Sequence, residues 1–341
     1  MRYSVIVPVF NRPDEVDELL ESLTHQTFRD FEVVIVEDGS KIPCRDVCTR
    51  YEQQLNIRYF DKPNSGPGQS RNYGAERASS DYLLILDSDV VLPEGYLQAI
   101  EDELNSSEAE AFGGPDAAHP SFTDTQKAIS YSMTSFFTTG GIRGGKKKLD
   151  KFYPRSFNMG IRRDVYQQLG GFSKMRFGED IDFSIRIFKA GCRCRLFPKA
   201  WVWHKRRTDF RKFWRQVYNS GIARINLFKK SPESLKVVHL LPAIFTLGVA
   251  FLIVLFIIGL LTWTSIGKTL CLLAIIPLVL YSLIIGIDSA LQNKSLKVGL
   301  LSVPAAFVQL GGYGCGFLSA WWKRCVQVKD EFQAFEKTFY K

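Results

Sequence analysis

The first part of the chain alternates short apolar runs with amphipathic stretches. Tyr3-Ser4-Val5-Ile6-Val7 opens a run to Val9 with the near-continuous apolar character of a strand buried on both faces. After Asn11-Arg12-Pro13, the residues Val16, Leu19, Leu20 and Leu23 recur at helical spacing, with the proline at the helix start. Residues 31–36 predict a second strand, ended by the turn-forming Glu37-Asp38-Gly39-Ser40. A third strand is expected at 56–60, a helix at 69–78 after the loop Asn64-Ser65-Gly66-Pro67-Gly68, and an all-apolar strand at 82–86 that stops at Asp87. Strands alternating with helices imply a Rossmann-like α/β fold, a mostly parallel sheet flanked by helices.

In such a sheet, ligands bind beyond the carboxyl ends of the strands. Asn11, Asp38, Asn64 and the triplet Asp87-Ser88-Asp89 all follow strands and are expected on one rim. Further elements are expected at 126–137, of unassigned type, at 156–162 (strand) and at 179–190 (helix). The glycine- and lysine-rich stretch 140–148 predicts a mobile loop, whose lysines would either cover a diphosphate or face solvent.

Beyond residue 230 the pattern changes. Apolar spans at 237–262, 268–287 and 296–322 are each long enough to cross a bilayer, which takes about 20 residues. The third is interrupted by Gln309, Gly311, Gly312, Gly314 and Gly316. The expected organisation is a cytoplasmic α/β domain over 1–230, a membrane region of two or three helices over 231–322, and a basic tail over 323–341. The net charge of +9 is concentrated before the first span, from Lys205 and Arg206 to Lys229, Lys230 and Lys236. That position suits an anionic membrane surface and, by the positive-inside rule, a domain on the cytoplasmic face of the inner membrane; no nucleic-acid-binding motif accompanies the charge. No signal-peptide pattern follows Met1, in keeping with a cytoplasmic domain. Three full crossings would put Lys323, Arg324, Lys329, Lys337 and Lys341 outside, against the same rule, so a re-entrant or interfacial third segment is the alternative. The seven cysteines include Cys44 with Cys48 and Cys192 with Cys194, neither at zinc-knuckle spacing, and they are expected as free thiols.

Asp87 and Asp89 lie two apart after a strand, which turns both carboxylates to one side. Paired carboxylates suit Mn²⁺ or Mg²⁺ carried with substrate phosphates, and equally suit a strand-end turn. Glu179 and Asp180 open a helix, where its dipole favours negative charge. The ordered set Val7-Pro8-Val9-Phe10-Asn11-Arg12, Glu37-Asp38-Gly39-Ser40, Gly66 through Arg71-Asn72, Asp87-Ser88-Asp89, Phe157-Asn158-Met159-Gly160, Gly170-Gly171-Phe172 and Gly178-Glu179-Asp180-Ile181-Asp182 resembles family 2 inverting glycosyltransferases of the GT-A fold. The resemblance implies that Pro8, Phe10, Asn11, Asp38, Arg71 and Asp87 bind the nucleotide. It assigns the metal, Mn²⁺ or Mg²⁺, to Asp89 and His204, and it makes Asp180 the catalytic base with Glu179 assisting. Asn158, Met159 and Gly160 would line the acceptor or donor sugar.

The partners so implied are a UDP- or GDP-linked sugar and a membrane lipid or lipid-linked acceptor, in cell-surface polysaccharide or glycolipid synthesis, with homo-oligomers left open. Processive members carry Gln-x-x-Arg-Trp, whereas this chain has Phe213-Trp214-Arg215-Gln216-Val217-Tyr218, which points to single transfer. The competing readings are a sugar-nucleotide pyrophosphorylase, whose basic glycine-rich loop after the first strand is missing here, and a non-catalytic membrane scaffold.

Overall fold

The computed structural model describes residues 1–117, 119, 121–139, 152–175, 177–205, 207–262 and 264–335, so the stretch 140–148 lies outside the described residues. Strand β1 (Tyr3–Val9) leads into helix α1 (Pro13–Thr24), which buries Val16, Leu19, Leu20 and Leu23, the positions singled out by their spacing. Next come β2 (Phe31–Asp38), α2 (Arg45–Tyr51), β3 (Ile57–Lys62), α3 (Pro67–Arg77), β4 (Tyr82–Leu86), the short β5 (Val90–Val91) and α4 (Tyr96–Ser106). Strands β6 (Ala111–Gly113) and β7 (Asp116–Ala117) precede helices α5 (Asp124–Thr134) and α6 (Phe136–Thr139). The chain then forms β8 (Asn158–Arg162), α7 (Arg163–Gln168), α8 (Glu179–Lys189), β9 (Cys194–Leu196) and β10 (Val202–His204).

The chain divides into two compact units, and the first holds Met1–His119 and Asp150–Lys205. Its main sheet has seven strands in the order β3-β2-β1-β4-β8-β6-β9, parallel except where β8 runs against β4 and β6. The central strands are buried on both faces. Val5, Val7, Val33 and Leu84 pack on one side with α1 and α4, while Ile6, Val34, Leu83 and Ile85 pack on the other with Phe172, Phe183 and Ile187. Gly74 of α3 makes the close approach possible, since a Cβ there would meet the Ile6 side chain at 2.6 Å. A second sheet, β5-β10-β7, sits on the chain just beyond β4 and pairs His204 with Val90.

The second unit holds Pro120–Leu149 and Arg206–Glu336, so α5 groups with helix α9 (Phe210–Lys230) and with the apolar helices α10 (Leu241–Thr262), α11 (Ser265–Asn293) and α12 (Leu296–Trp321). Among the described residues, three helices here are long and apolar enough to cross a membrane. Helices α10 and α11 form a hairpin closed near its turn, where Gly259 and Gly267 let the backbones touch; a Cβ on Gly267 would lie 2.5 Å from the Gly259 oxygen. Helix α12 seats on the open end of that hairpin. Its Gly299 faces Gly286 and Ala290, its Ser302 meets Ser289 at 2.6 Å, and its Phe307 packs on Tyr281 and Phe245. Fifteen residues past Gly299, Gly314 still abuts Pro242 and Thr246. Leu247, Phe251, Val254, Ile258, Leu272, Ile276 and Leu280, farther along the hairpin, remain exposed. The other side of α12 takes α9, with Gly316 against Tyr218 and Gly312 against Val217 and Trp214.

Candidate active site

The rim at the carboxyl ends of β1, β2 and β4 collects the polar groups. Directly after β4, Asp87 and Asp89 flank Ser88, whose hydroxyl donates to Glu15 at 3.2 Å and ties the turn to α1. The pairing of β10 with β5 brings His204 alongside, with Nε2 3.2 Å from Asp89 Oδ1, and the Lys205 amide donates to the Asp89 carbonyl. One ligand atom each from Asp87, Asp89 and His204 lies within 4.8 Å of the other two. Two carboxylate oxygens and an imidazole nitrogen suit a divalent ion such as Mn²⁺ or Mg²⁺, with open positions for phosphate oxygens. Arg12 stands behind this group, bonded to Glu15 and 4.0 Å from Asp89 Oδ2.

Asp38, at the end of β2, is buried. Its Oδ1 accepts from Lys62 Nζ at 2.5 Å and from the Ser65 amide at 2.9 Å, and its Oδ2 accepts from the Gly66 amide at 2.9 Å. The carboxylate thus shapes the loop before α3 and keeps acceptor capacity for a ribose hydroxyl. Asn11 takes the left-handed conformation (φ 55°), and its side-chain oxygen accepts from the Lys41 and Ile42 amides, joining the loops after β1 and β2. Pro8 is half-buried and Phe10 is 43% exposed beside them, an aromatic face open at the rim.

Arg71 projects from α3 and is buried. Its Nη2 donates to Asp87 at 2.7 Å and its Nη1 to Glu179 at 2.9 Å, while the guanidinium lies over the Phe172 ring. It therefore fixes the strand-end carboxylates relative to the first turn of α8. Asp180, next in that turn, accepts at Oδ2 from Arg155 Nε at 2.6 Å and at Oδ1 from the Ile181 amide at 2.8 Å. Burial pushes the Asp180 carboxyl up, but the charge and hydrogen bond of Arg155, with Arg71 and the Ile181 amide, outweigh it and hold the group below its ordinary value. Glu179 moves the other way, lifted by burial and by the negative charge of Asp180 against the pull of Arg71. Neighbouring carboxyls pushed apart in this way are a mark of acid–base sites.

Asn158, Met159 and Gly160 open β8 opposite Leu86 and are buried there. The Asn158 side chain accepts from the Tyr96 hydroxyl at 2.7 Å and donates to the Ala200 carbonyl at 2.8 Å. Gly160 leaves room for Phe112, whose ring a Cβ would meet at 2.1 Å. Three contributors went unassigned in the sequence. Lys62, which β3 pairs directly with Asp38, lies past the 56–60 run in which a strand was expected. Asp116 stands 4.0 Å from His204 on β7, a strand too short to carry a hydrophobic signature. Arg155 precedes β8 in a segment with no periodicity at all.

Residues 4–170 match the model of glycosyl transferase family 2. An uncharacterized glycosyltransferase of Haemophilus influenzae is 31% identical over 54% of this chain and 62% of its own length. A Campylobacter jejuni protein named GalNAc(5)-diNAcBac-PP-undecaprenol beta-1,3-glucosyltransferase is 31% identical over 33% of this chain and 37% of its own. A Rickettsia felis glycosyltransferase is 33% identical over 40% of this chain, which spans only 22% of that relative. Among solved structures, the mannosyltransferase PcManGT from Pyrobaculum calidifontis, in complex with GDP-Man and Mn²⁺, superposes with a TM-score of 0.55 at 15% identity, over 95% of this chain and 88% of that one. S. aureus TarS in complex with UDP gives 0.50 at 22% identity, over 66% of each chain. At these identities the likeness is one of fold, the GT-A arrangement of sheet and helices.

Proposed function

Since residues 4–170 make this chain a member of glycosyl transferase family 2, we propose that it transfers a sugar, with inversion, from a nucleoside diphosphate donor to a hydroxyl of a membrane-proximal acceptor. The observation that carries the reading is the fixed span from the Asp87, Asp89 and His204 cluster, through Arg71 and Glu179, to Asp180. It provides a grip for a diphosphate and a base on one rigid frame. Asp38, Asn11, Pro8 and Phe10 would form the nucleotide side of the site.

A divalent ion held by Asp87, Asp89 and His204 would supply Lewis-acid stabilisation of the charge developing on the departing diphosphate. Asp180 takes the proton of the acceptor hydroxyl as its oxygen bonds to the anomeric carbon and the bond from that carbon to the phosphate oxygen breaks. A single displacement of this kind inverts the sugar carbon. Arg71 holds Asp87 and Glu179 in place throughout. The ligands named in the structural neighbours, UDP and the nucleotide sugar GDP-Man, support a nucleoside diphosphate sugar here.

Helices α10 and α11 would cross the membrane as a hairpin, with α12 lying near its surface beside α9. The course of α12 over the open end of the hairpin supports this, as does charge: two crossings leave Lys229, Lys230 and Lys236 on the same face as Lys323, Arg324 and Lys329. The relative named for an undecaprenol-linked acceptor supports a lipid-linked acceptor at that face.

The test is turnover of purified full-length protein on a panel of UDP- and GDP-sugars with and without Mn²⁺, alongside D180N. We expect metal-dependent transfer or donor hydrolysis by the parent and a loss of roughly a hundredfold or more in D180N, with nucleotide binding retained. Full turnover in D180N would remove Asp180 as the base, and full turnover in excess EDTA would remove the ion.

A further inference from the structure

Resting on the reading of Asp180 as the base, we propose that Arg155 is a positioning residue that clamps Asp180 while the site is empty and is drawn off it by a phosphate group of a bound substrate. Both oxygens of Asp180 are engaged, Oδ1 by the Ile181 amide and Oδ2 by Arg155 at 2.6 Å. A hydroxyl reaching for Oδ2 meets the guanidinium already bonded there and must share the oxygen with it or replace it.

The backbone of Arg155 is pinned. The neighbouring Pro154 carbonyl accepts from Ser184 at 2.6 Å, and the Arg155 carbonyl accepts from the Asn158 amide at 2.9 Å. The side chain itself is 35% exposed, so the motion available to it is a rotamer change from a fixed base. The other two guanidiniums of the site are less suited to the task. Arg71 is buried and gives one nitrogen to each of two carboxylates, and Arg12 is bonded to Glu15 behind the Asp89 carboxylate. Arg155 rests on one carboxylate, and its planar fork matches phosphate oxygens.

The charged groups facing Asp180 are Arg155 from the segment before β8, Arg71 from α3 and Glu179 beside it on α8; Asp116 on β7 bears on Arg155 in turn. Next along α8, Asp182 is occupied by Ser173 and Arg186. With Arg155 in place the carboxylate is a weak base. Once the guanidinium moves to a phosphate, the Asp180 carboxyl rises and becomes a stronger one, timed to the arrival of substrate.

The phosphate belongs either to the donor diphosphate or to a phosphorylated acceptor, and pH profiles distinguish them. In R155Q the acid limb of kcat/KM, which reports the free site, should move upward by about one pH unit, because the cation that depresses Asp180 is gone. The acid limb of kcat should stay where it is, because in the parent Arg155 has already left Asp180 in the saturated complex. A shift seen in kcat/KM for the sugar nucleotide, with about tenfold weaker binding of UDP or GDP, assigns the donor. A shift seen only for a phosphorylated acceptor, with UDP and GDP binding unchanged, assigns the acceptor. R155K, which keeps the charge, should hold the limb near its parental position and controls for folding. Unmoved profiles for both substrates in R155Q, with D180N inactive, overturn the clamp and leave the base in place. Activity in D180N overturns the base itself.

Discussion

Arg71 joins two acidic groups that arrive from different parts of the chain, Asp87 at 2.7 Å and Glu179 at 2.9 Å. Truncating it leaves two carboxylates facing each other without their cation, so R71A should lose about 3–5 kcal/mol of stability, measured by urea unfolding of the detergent-solubilised protein. R71K should recover only part of that, because a single ammonium nitrogen replaces the two separate guanidinium nitrogens that each meet one carboxylate. A loss of under about 0.5 kcal/mol in R71A would show that the brace is not structural. Residues of this kind were legible in the sequence as positions but not as partners. Arg71, Asp87 and Glu179 were all singled out, yet nothing in their order said that one guanidinium would be shared between the other two. The engagement of Asp38 by Lys62 was hidden for a different reason: the polar end of β3 continues past Phe60 to Lys62, and the strand pattern ends before it.

At the scale of elements, periodicity located β1, α1, β2 and β4 because each is buried on a regular face. It did not find β5, β7 or β9, strands of two or three residues set by pairing rather than by their own composition. The long apolar helices were visible as apolar runs, whereas the seat of α12 depends on glycines whose partners lie elsewhere in the chain. The hairpin reading makes a sharp prediction. With native thiols replaced, a cysteine at Ser265, the first residue of α11 beside the turn from α10, should react with a membrane-impermeant maleimide only from the face opposite α9. Cysteines at Lys294 and Val328 should share the other face. Labelling of positions 294 and 328 from opposite faces would make α12 a third crossing and sink the proposal.

For the whole molecule, the second sheet carries a consequence beyond the chemistry of the site. β10 meets β5 with His204 opposite Val90 and Trp203 opposite Val91. Successive strand residues point to opposite faces, so a slip of one position would present Trp203 where the imidazole belongs. Binding of a divalent ion by the proposed ligands would therefore require the correct alignment of the last strand of the first unit. Saturation with Mn²⁺ at about a hundred times its Kd should add about 2.7 kcal/mol of stability, read as a rise in Tm that EDTA reverses. H204A should shrink that gain sharply, and an equal gain in H204A would place the ion elsewhere. On the proposed metal reading, folding and ion supply become linked quantities: without a divalent ion at Asp87, Asp89 and His204, the closing strand would lose one of the contacts that mark its alignment.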